Sequence, residues 1–253
     1  MSKIELILIS VSYDDFLDIT LVKNKDYFDN IIVVTDLEDE KTVEVCKKYD
    51  IECLRTNGFY RNGRQFFDKG VGVNLAIDNL KHKEWVLSLD ADIILPDDFR
   101  NKLFDFGLEK NKIYGCRRYE IRTYQEWLEI QKNPELIKKR FLFRGIFSGF
   151  FQLFHYQSEM AQKIIEKYKK LYPETGCNSE LDWHFKLLMG GDYIYNPPLV
   201  GNEPHPFNII NNPHANQNYN DYCIGTLKEL PFTVTHLGMT GQNANSRTTP
   251  KFI

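Results

Sequence analysis

Over its first hundred residues the chain alternates short aliphatic and β-branched runs with stretches of helical spacing. IELILISVS (Ile4 to Ser12), NIIVVTD (Asn30 to Asp36), IECLRT and WVLSLDAD read as strands. Between them lie a polar helical stretch from Leu37 to Tyr49 and the segment FFDKGVGVNLAIDNL, whose Phe67, Val71 and Leu75 recur at helical spacing. This order predicts βαβ units and a mostly parallel sheet. In such sheets ligands bind beyond the carboxyl ends of the strands, which is where Asp36, Asp90 and Asp92 fall.

The fourth run, WVLSLDADIILP (Trp85 to Pro96), places two carboxylates inside an otherwise apolar segment. One reading is a solvated strand end leading into a helix start at Pro96, Asp97 and Asp98, since Asp favours both positions. The other starts from charge. Two carboxylates flanked by water-excluding residues repel each other unless a cation neutralises them, and oxygen ligands suit Mg²⁺ or Mn²⁺, ions that share their coordination with substrate phosphates.

The second half has a different character. β-rich runs at KIYGCRRYEIRT and GIFSGFFQLFHY are followed by an amphipathic helix from Glu159 to Leu171 and a second helix from Ser179 to Met189. Beyond YNPPLVGNEPHPFN, the Asn- and Pro-rich NIINNPHANQNYND reads as a long loop of the kind that forms lids or binding surfaces. With no repeat and no linker, residues 1–253 are expected to form a single domain with two functional halves, 1–100 and 101–253. A net charge of -3 argues against a general polyanion binder. Five cysteines without a C-x-x-C pair suit a reducing compartment, and Glu5 interrupts the short apolar start too early for a leader peptide, so a cytoplasmic protein is expected. No apolar run approaches the roughly 20 residues of a membrane span.

The ordered series of IIVVTD, RQFFDKGVGVNLAI, WVLSLDADIILP, NSELDWHFKLLMGG and VTHLGMTG resembles the GT-A glycosyltransferases, in particular the family-2-like members. The resemblance implies an α/β fold with a Rossmann-like, mostly parallel central sheet, helices on both faces and a small second sheet on the acceptor side. It implies that Asp90 and Asp92 hold a divalent cation bridging the diphosphate of a nucleotide-sugar donor. It further implies that Ser12 in the loop after the first strand, Asp36, Arg64, Lys69 and Asn74 face the nucleotide. Read as residues alone, Arg64 and Lys69 are equally ordinary solvated charges, and Asn74 and Asp36 equally turn or backbone partners.

By the same resemblance, Glu180 stands at the catalytic acid position when Lys186 is aligned with the family's basic residue, and Asp182 lies two residues on. In inverting members that carboxylate deprotonates the acceptor hydroxyl. The family's adjacent Glu-Asp pair is here Glu-Leu-Asp, so either acid is a candidate base, and Ser179 with Asp182 also reads as a helix cap. Trp183 is a candidate acceptor-side aromatic or a core residue. His236, ending FTVTH, matches the family's C-terminal metal-ligating histidine and favours Mn²⁺ over Mg²⁺; His205 in NEPHPFN is the competitor. Gly238 and Gly241 would let the backbone approach the diphosphate, with Arg247 as a phosphate partner.

The expected activity is thus metal-dependent transfer of a sugar to a hydroxyl acceptor. A sugar-phosphate nucleotidyltransferase is the enzymatic alternative, although SVSYDDFL lacks the glycine-rich loop such enzymes carry. An inactive nucleotide-sugar-binding module is the other. Basic residues at Arg117, Arg118 and Arg122, and at Lys138, Lys139, Arg140 and Arg144, keep a nucleic acid in view only as an acceptor substrate; a solvated helix face is the plainer reading of the second cluster.

Overall fold

The computed structural model describes residues 2–61, 66–143, 149–172, 174 and 227–238. In chain order the elements are β1 (Ile4–Ile9), α1 (Asp14–Asn24), β2 (Asn30–Asp36), α2 (Glu40–Lys48), β3 (Glu52–Thr56), β4 (Tyr60–Arg61), β5 (Phe66–Phe67), α3 (Lys69–Asp78), β6 (Trp85–Asp90), β7 (Ile93–Ile94), α4 (Phe99–Asp105), β8 (Ile113–Ile121), α5 (Tyr124–Lys132), β9 (Phe141–Phe143), β10 (Phe151–His155), α6 (Glu159–Tyr168) and β11 (Leu227–Leu237). The main sheet runs β3-β2-β1-β6-β10-β8-β11-β7, with β9 paired to β8. β3, β2, β1 and β6 are mutually parallel, as are β8 and β11; β10 is antiparallel to both of its neighbours. A separate two-stranded sheet, β4–β5, lies in the first half of the chain, whereas the strands of the second half extend the main sheet. None of the described helices is long and apolar enough to cross a membrane.

Alternation along the strands decides which face each residue serves. Leu6, Leu8, Ile31, Val33, Leu87 and Leu89 pack with Leu17 and Leu21 of α1, while Ile7, Ile32, Val34 and Val86 pack with Val73 and Ile77 of α3 and Ile164 of α6. Both faces are covered, so the central strands read as continuous apolar runs. Gly72 lies in α3 because a Cβ there would come within 2.5 Å of the Phe59 ring and 2.9 Å of Ile9; the absent side chain lets the helix settle on the sheet. Pro231 is tolerated inside β11 because the register with β8 shifts between Glu229 and Thr233, where no ladder hydrogen bond is needed from it.

The charge that interrupts the first strand has a structural task. Glu5 is fully buried, and its carboxylate accepts hydrogen bonds from Asn30 Nδ2 (3.0 Å) and from the backbone amides of Lys81 (2.8 Å), His82 (2.9 Å) and Lys83 (2.7 Å). These amides form the turn that delivers the chain from α3 into β6, so one buried carboxylate fixes where the aspartate-bearing strand begins. Four donors answer the cost of burying it.

Asp29 plays a similar part before β2. Its carboxylate receives Lys3 Nζ (2.8 Å), the Ile4 amide (2.9 Å) and Arg100 (2.9 Å). Burial alone would raise this carboxyl, but these three donors outweigh it and hold it well below the usual carboxylate range. A carboxyl depressed in the folded state contributes stability above the unfolded value of about 3.9, and that contribution disappears as pH falls through the folded value. Urea unfolding of Asp29→Asn should therefore show a clear loss of stability at pH 7, on the order of 1–3 kcal/mol, and a smaller difference from the parent protein at pH 3.

Candidate active site

The carboxyl ends of β1, β2 and β6 meet at one edge of the sheet. The loop after β1 carries Ser12 at φ 58°, and its amide donates to Asp39 Oδ2 at 2.7 Å. Asp39 also accepts from Thr35 Oγ1 (2.9 Å) and Thr42 Oγ1 (2.7 Å), and its Oδ1 caps α2 by accepting the Thr42 amide at 3.2 Å. One aspartate thus ties the β1–α1 loop, the end of β2 and the start of α2 together. Sequence reasoning passed over it, although an Asp three residues before Thr at a helix start is a capping signal. Asp36 ends β2 half-exposed, its Oδ1 accepting the Glu38 amide at 3.1 Å. Ser12 and Asp36 therefore share the rim of this edge.

Asp90 is the last residue of β6, opposite Ile9 of β1, and its amide donates to Phe150 O at 3.0 Å. Its carboxylate lies 2.6 Å from Lys69 Nζ, at the start of α3, and the same ammonium donates to Gly149 O at 3.1 Å. Two residues on, Asp92 stands beside a different strand. Its Oδ2 is 3.3 Å from His236 Nε2, its carbonyl accepts the Leu237 amide at 2.8 Å, and β7 then pairs antiparallel with β11. Burial opposes ionisation of Asp92, but the facing His236 imidazole and the nearby Arg118 guanidinium outweigh it and hold the carboxyl below its ordinary value. Asp92 Oδ1 and His236 Nδ1 are both buried without a hydrogen-bond partner among the described residues.

The tripeptide is gripped from beneath by α1. Thr20 Oγ1 donates to Ala91 O (2.8 Å), Asn24 Nδ2 donates to Ile93 O (2.7 Å), and the Leu95 amide donates to Asn24 Oδ1 (2.9 Å). Thr20 and Asn24 are one helical turn apart and both buried, so a single face of α1 sets the path of the chain through Asp92. In the sequence, the one signal for this helix's role is a Thr and an Asn four residues apart on an otherwise apolar face. Arg118, on β8, lies between the rings of Phe143 (4.6 Å) and Phe150 (4.5 Å), which hold its charge next to this region.

The structure brings Lys69, Asp90, Asp92 and His236 to one edge and places Ser12 and Asp36 along the same rim. Gly238 follows His236 by two residues at φ 123°, a conformation that favours glycine. Asn74 is engaged elsewhere: Oδ1 accepts the Tyr172 amide at 2.9 Å, and Nδ2 donates to Tyr172 O at 2.8 Å, so its amide holds the chain beyond α6. Arg64, Arg144, Glu180, Asp182, Trp183, Lys186, His205, Gly241 and Arg247 lie outside the described residues, as do the expected helix from Ser179 to Met189 and the Asn-rich loop. Among the described residues no three His, Cys, Asp or Glu side chains form a ready-made metal cage.

A Rossmann-like sheet covered by helices on both faces, with acidic residues gathered where the chain leaves its central strand, defines a GT-A fold. Residues 16–169, more than half of the chain, match the model of glycosyl transferase family 2, and the chain belongs to that family. Glucosyl-3-phosphoglycerate synthase from Mycobacterium tuberculosis, solved in complex with Mn²⁺, uridine diphosphate and glucosyl-3-phosphoglycerate, has a TM-score of 0.50 at 9% identity, covering 93% of this chain and 70% of that one. A second structure of the same synthase gives 0.48 at 10% identity, covering 98% and 73%. The 4-diphosphocytidyl-2C-methyl-D-erythritol synthase of Anaerococcus prevotii gives 0.43 at 16% identity, covering 73% and 84%. No curated protein matches the chain.

Because Asn24 satisfies both Ile93 O and the Leu95 amide, Asn24→Leu should leave two buried backbone groups unpaired and cost about 2–4 kcal/mol. Thr20→Val should cost about 1 kcal/mol, the net value of one hydrogen bond. Urea denaturation of the two variants measures both losses, and the order Asn24 greater than Thr20 is the expected result.

Proposed function

We propose that the protein is a metal-dependent glycosyltransferase that moves a sugar from a nucleotide-sugar donor to a hydroxyl acceptor. The observation that carries this reading is Asp92 Oδ1, a buried carboxylate oxygen beside His236 with no hydrogen-bond partner among the described residues, with Asp90 two residues away. A buried charged oxygen without a donor is costly unless a cation answers it. Asp92 Oδ2 and His236 Nε2 lie 3.3 Å apart, so these two residues would hold the ion together. A carboxylate and an imidazole leave coordination positions for phosphate oxygens and water, as such ions prefer. The mixed oxygen and nitrogen donor set favours Mn²⁺ over Mg²⁺. The Mycobacterium tuberculosis synthase, with the same fold, was solved with Mn²⁺ and uridine diphosphate, which supports a nucleotide-sugar donor here.

When bound, the ion supplies Lewis-acid stabilisation of the leaving diphosphate. The chain's own residues do the rest. Asp92 and His236 hold the ion's side of the site; Lys69 neutralises Asp90 and sets a positive charge beside the diphosphate. Ser12 and Asp36 take the nucleoside end along the rim, with Arg64 and Arg247 as further phosphate partners. Asn74 acts through Tyr172, anchoring the start of the segment that carries Glu180 and Asp182. One of these two acids takes the proton of the acceptor hydroxyl in an inverting transfer. The loop between β1 and α1 turns at a serine with positive φ and contains no glycine, which favours transfer of the sugar over transfer of a nucleotidyl group. A cytoplasmic setting agrees with the free thiols of Cys46, Cys53 and Cys116.

Calorimetry with a panel of nucleoside diphosphates tests the metal site. Asp92→Asn should abolish Mn²⁺-dependent binding, and His236→Ala should weaken it more in Mn²⁺ than in Mg²⁺. Unchanged Mn²⁺-dependent affinity in Asp92→Asn would overturn the assignment.

The base is tested by rate. Glu180→Gln or Asp182→Asn should lower transfer by about 10²- to 10⁴-fold while donor affinity is retained. A variant that loses only a helix cap keeps its turnover and loses about 1 kcal/mol of stability.

A further inference from the structure

Two basic clusters stand out in the second half of the sequence, and the structure separates their members by what already answers each charge. Arg117 is paired with Glu229 at 2.6 Å, Lys138 with Glu135 at 2.6 Å, and Arg140 with both Glu126 (3.0 Å) and Glu129 (3.2 Å). Arg118 is buried between two phenylalanine rings, 3.5 Å from Glu120. Of the described members Arg122 and Lys139 remain, both exposed and neither in an ion pair with another described residue; Arg144 lies outside the described residues. These two line the same cavity of about 220 Å³, whose other walls are Glu120, Glu126, Arg140 and Phe141.

The cavity adjoins the candidate metal edge. Arg122 directly follows Ile121, whose carbonyl accepts the Gly238 amide at 2.7 Å, while the preceding Leu237 amide reaches Asp92 O. Glu120, at the cavity wall, is the register partner of His236 on the neighbouring strand. Adjacent strands lie about 4.8 Å apart, so the cavity opens within one or two strand spacings of the Asp92–His236 pair.

Its lining selects an occupant. The two carboxylates are already answered within the protein, Glu120 by Arg118 and Glu126 by Arg140 and the Arg122 amide at 2.8 Å. That last bond fixes the backbone of Arg122 and leaves its guanidinium for a ligand. Phe141, on β9 opposite Glu120 of β8, is 55% exposed and adds an apolar wall. Two cationic side chains and one aromatic ring within a cavity of about 220 Å³ suit a compact anion with a few carbons.

We infer that this cavity is an anion subsite for the acceptor, in which Arg122 and Lys139 hold the phosphate or carboxylate of a small hydroxylated molecule and Phe141 packs against its carbons. The acceptor is then a small anionic polyol or sugar acid, not a polymer. This deepens the glycosyltransferase reading and rests on it for the word acceptor, though the anion site itself does not depend on catalysis.

The test is a nuclear magnetic resonance titration of the full chain without metal or nucleotide, using glycerol 1-phosphate, glycerate and glycerol as probes. Saturable binding of one or both anions, with none for glycerol, is expected; which anion binds distinguishes phosphate from carboxylate. The Arg122→Gln/Lys139→Gln double variant should weaken that binding at least tenfold, while Lys138→Gln, at an exposed and already paired lysine, should not change it. Both substituted side chains are exposed, so the fold should survive, and an unchanged amide spectrum away from the cavity checks this. No saturable binding by either anion, or equal binding by the double variant, overturns the proposal. So does tight binding of a short single-stranded oligonucleotide that the double variant loses, because the basic residues would then serve a polymer. Calorimetry of the parent chain with nucleoside diphosphates and Mn²⁺ is the separate check on the transferase reading: its failure leaves the anion result standing, and its success cannot rescue a cavity that binds no anion.

Discussion

The rest of the site depends on one short crossing of the chain. At Asp90 the backbone leaves β6, and by Ile93 it belongs to β7, at the far end of a hydrogen-bonded path that runs through β10, β8 and β11. Two residues, Ala91 and Asp92, span that gap covalently and close the path into a ring of strands. Asp90 therefore faces the parallel half of the sheet, where Lys69 meets it, and Asp92 faces β11, where His236 meets it. Carboxylates two apart in a regular strand would share a face as like charges; the crossing sends each toward a different partner.

A crossing of this kind must be held, because it carries backbone polar groups into a buried place. The grip is from α1, through Thr20 and Asn24, and from β11, through the Leu237 amide. With the backbone answered in this way, Asp92 Oδ1 and His236 Nδ1 are left without a partner among the described residues. The same logic runs through the structure: Glu5 and Asp29 are enclosed by donors, and Arg118 lies between two rings near Glu120. Asp92 Oδ1 differs from these carboxylates in having no hydrogen-bond donor among the described residues, which is the feature on which the proposed cation site rests.

The parallel half of the fold was legible because hydrophobic period and strand length agree there. The predicted runs at Ile4, Asn30, Ile51 and Trp85 all appear as strands, and the helices in Leu37–Tyr49, in the KGVGVNLAID stretch and from Glu159 appear within a few residues of expectation. The first segment after β1 was not assigned, since its apolar face includes Thr20 and Asn24, which look polar in sequence and are buried only because the crossing needs them. Likewise α5 was missed although Thr123 and Glu126 carry a capping signal; its Thr123 Oγ1 accepts the Glu126 amide at 3.2 Å. Of the site, the acids and the histidine stood out by residue type. The partners that position them did not, because hydrogen bonds between residues some 70 positions apart leave no local pattern.

Helix α3 links the two halves of the proposed reaction. Its first residue, Lys69, touches Asp90 at the end of β6, and about one and a half turns later Asn74 clasps Tyr172, eight residues before Glu180 in the sequence. Gly72 lies between these two contacts, pressed against Phe59 and Ile9, so the helix sits on the sheet at a fixed depth. A rigid element contacting both can keep Asp90 and the chain beyond α6 in constant relation without a contact between them. The arrangement explains why a glycine-containing helix of modest intrinsic propensity is placed here: close seating against the sheet matters more than helical stability in isolation.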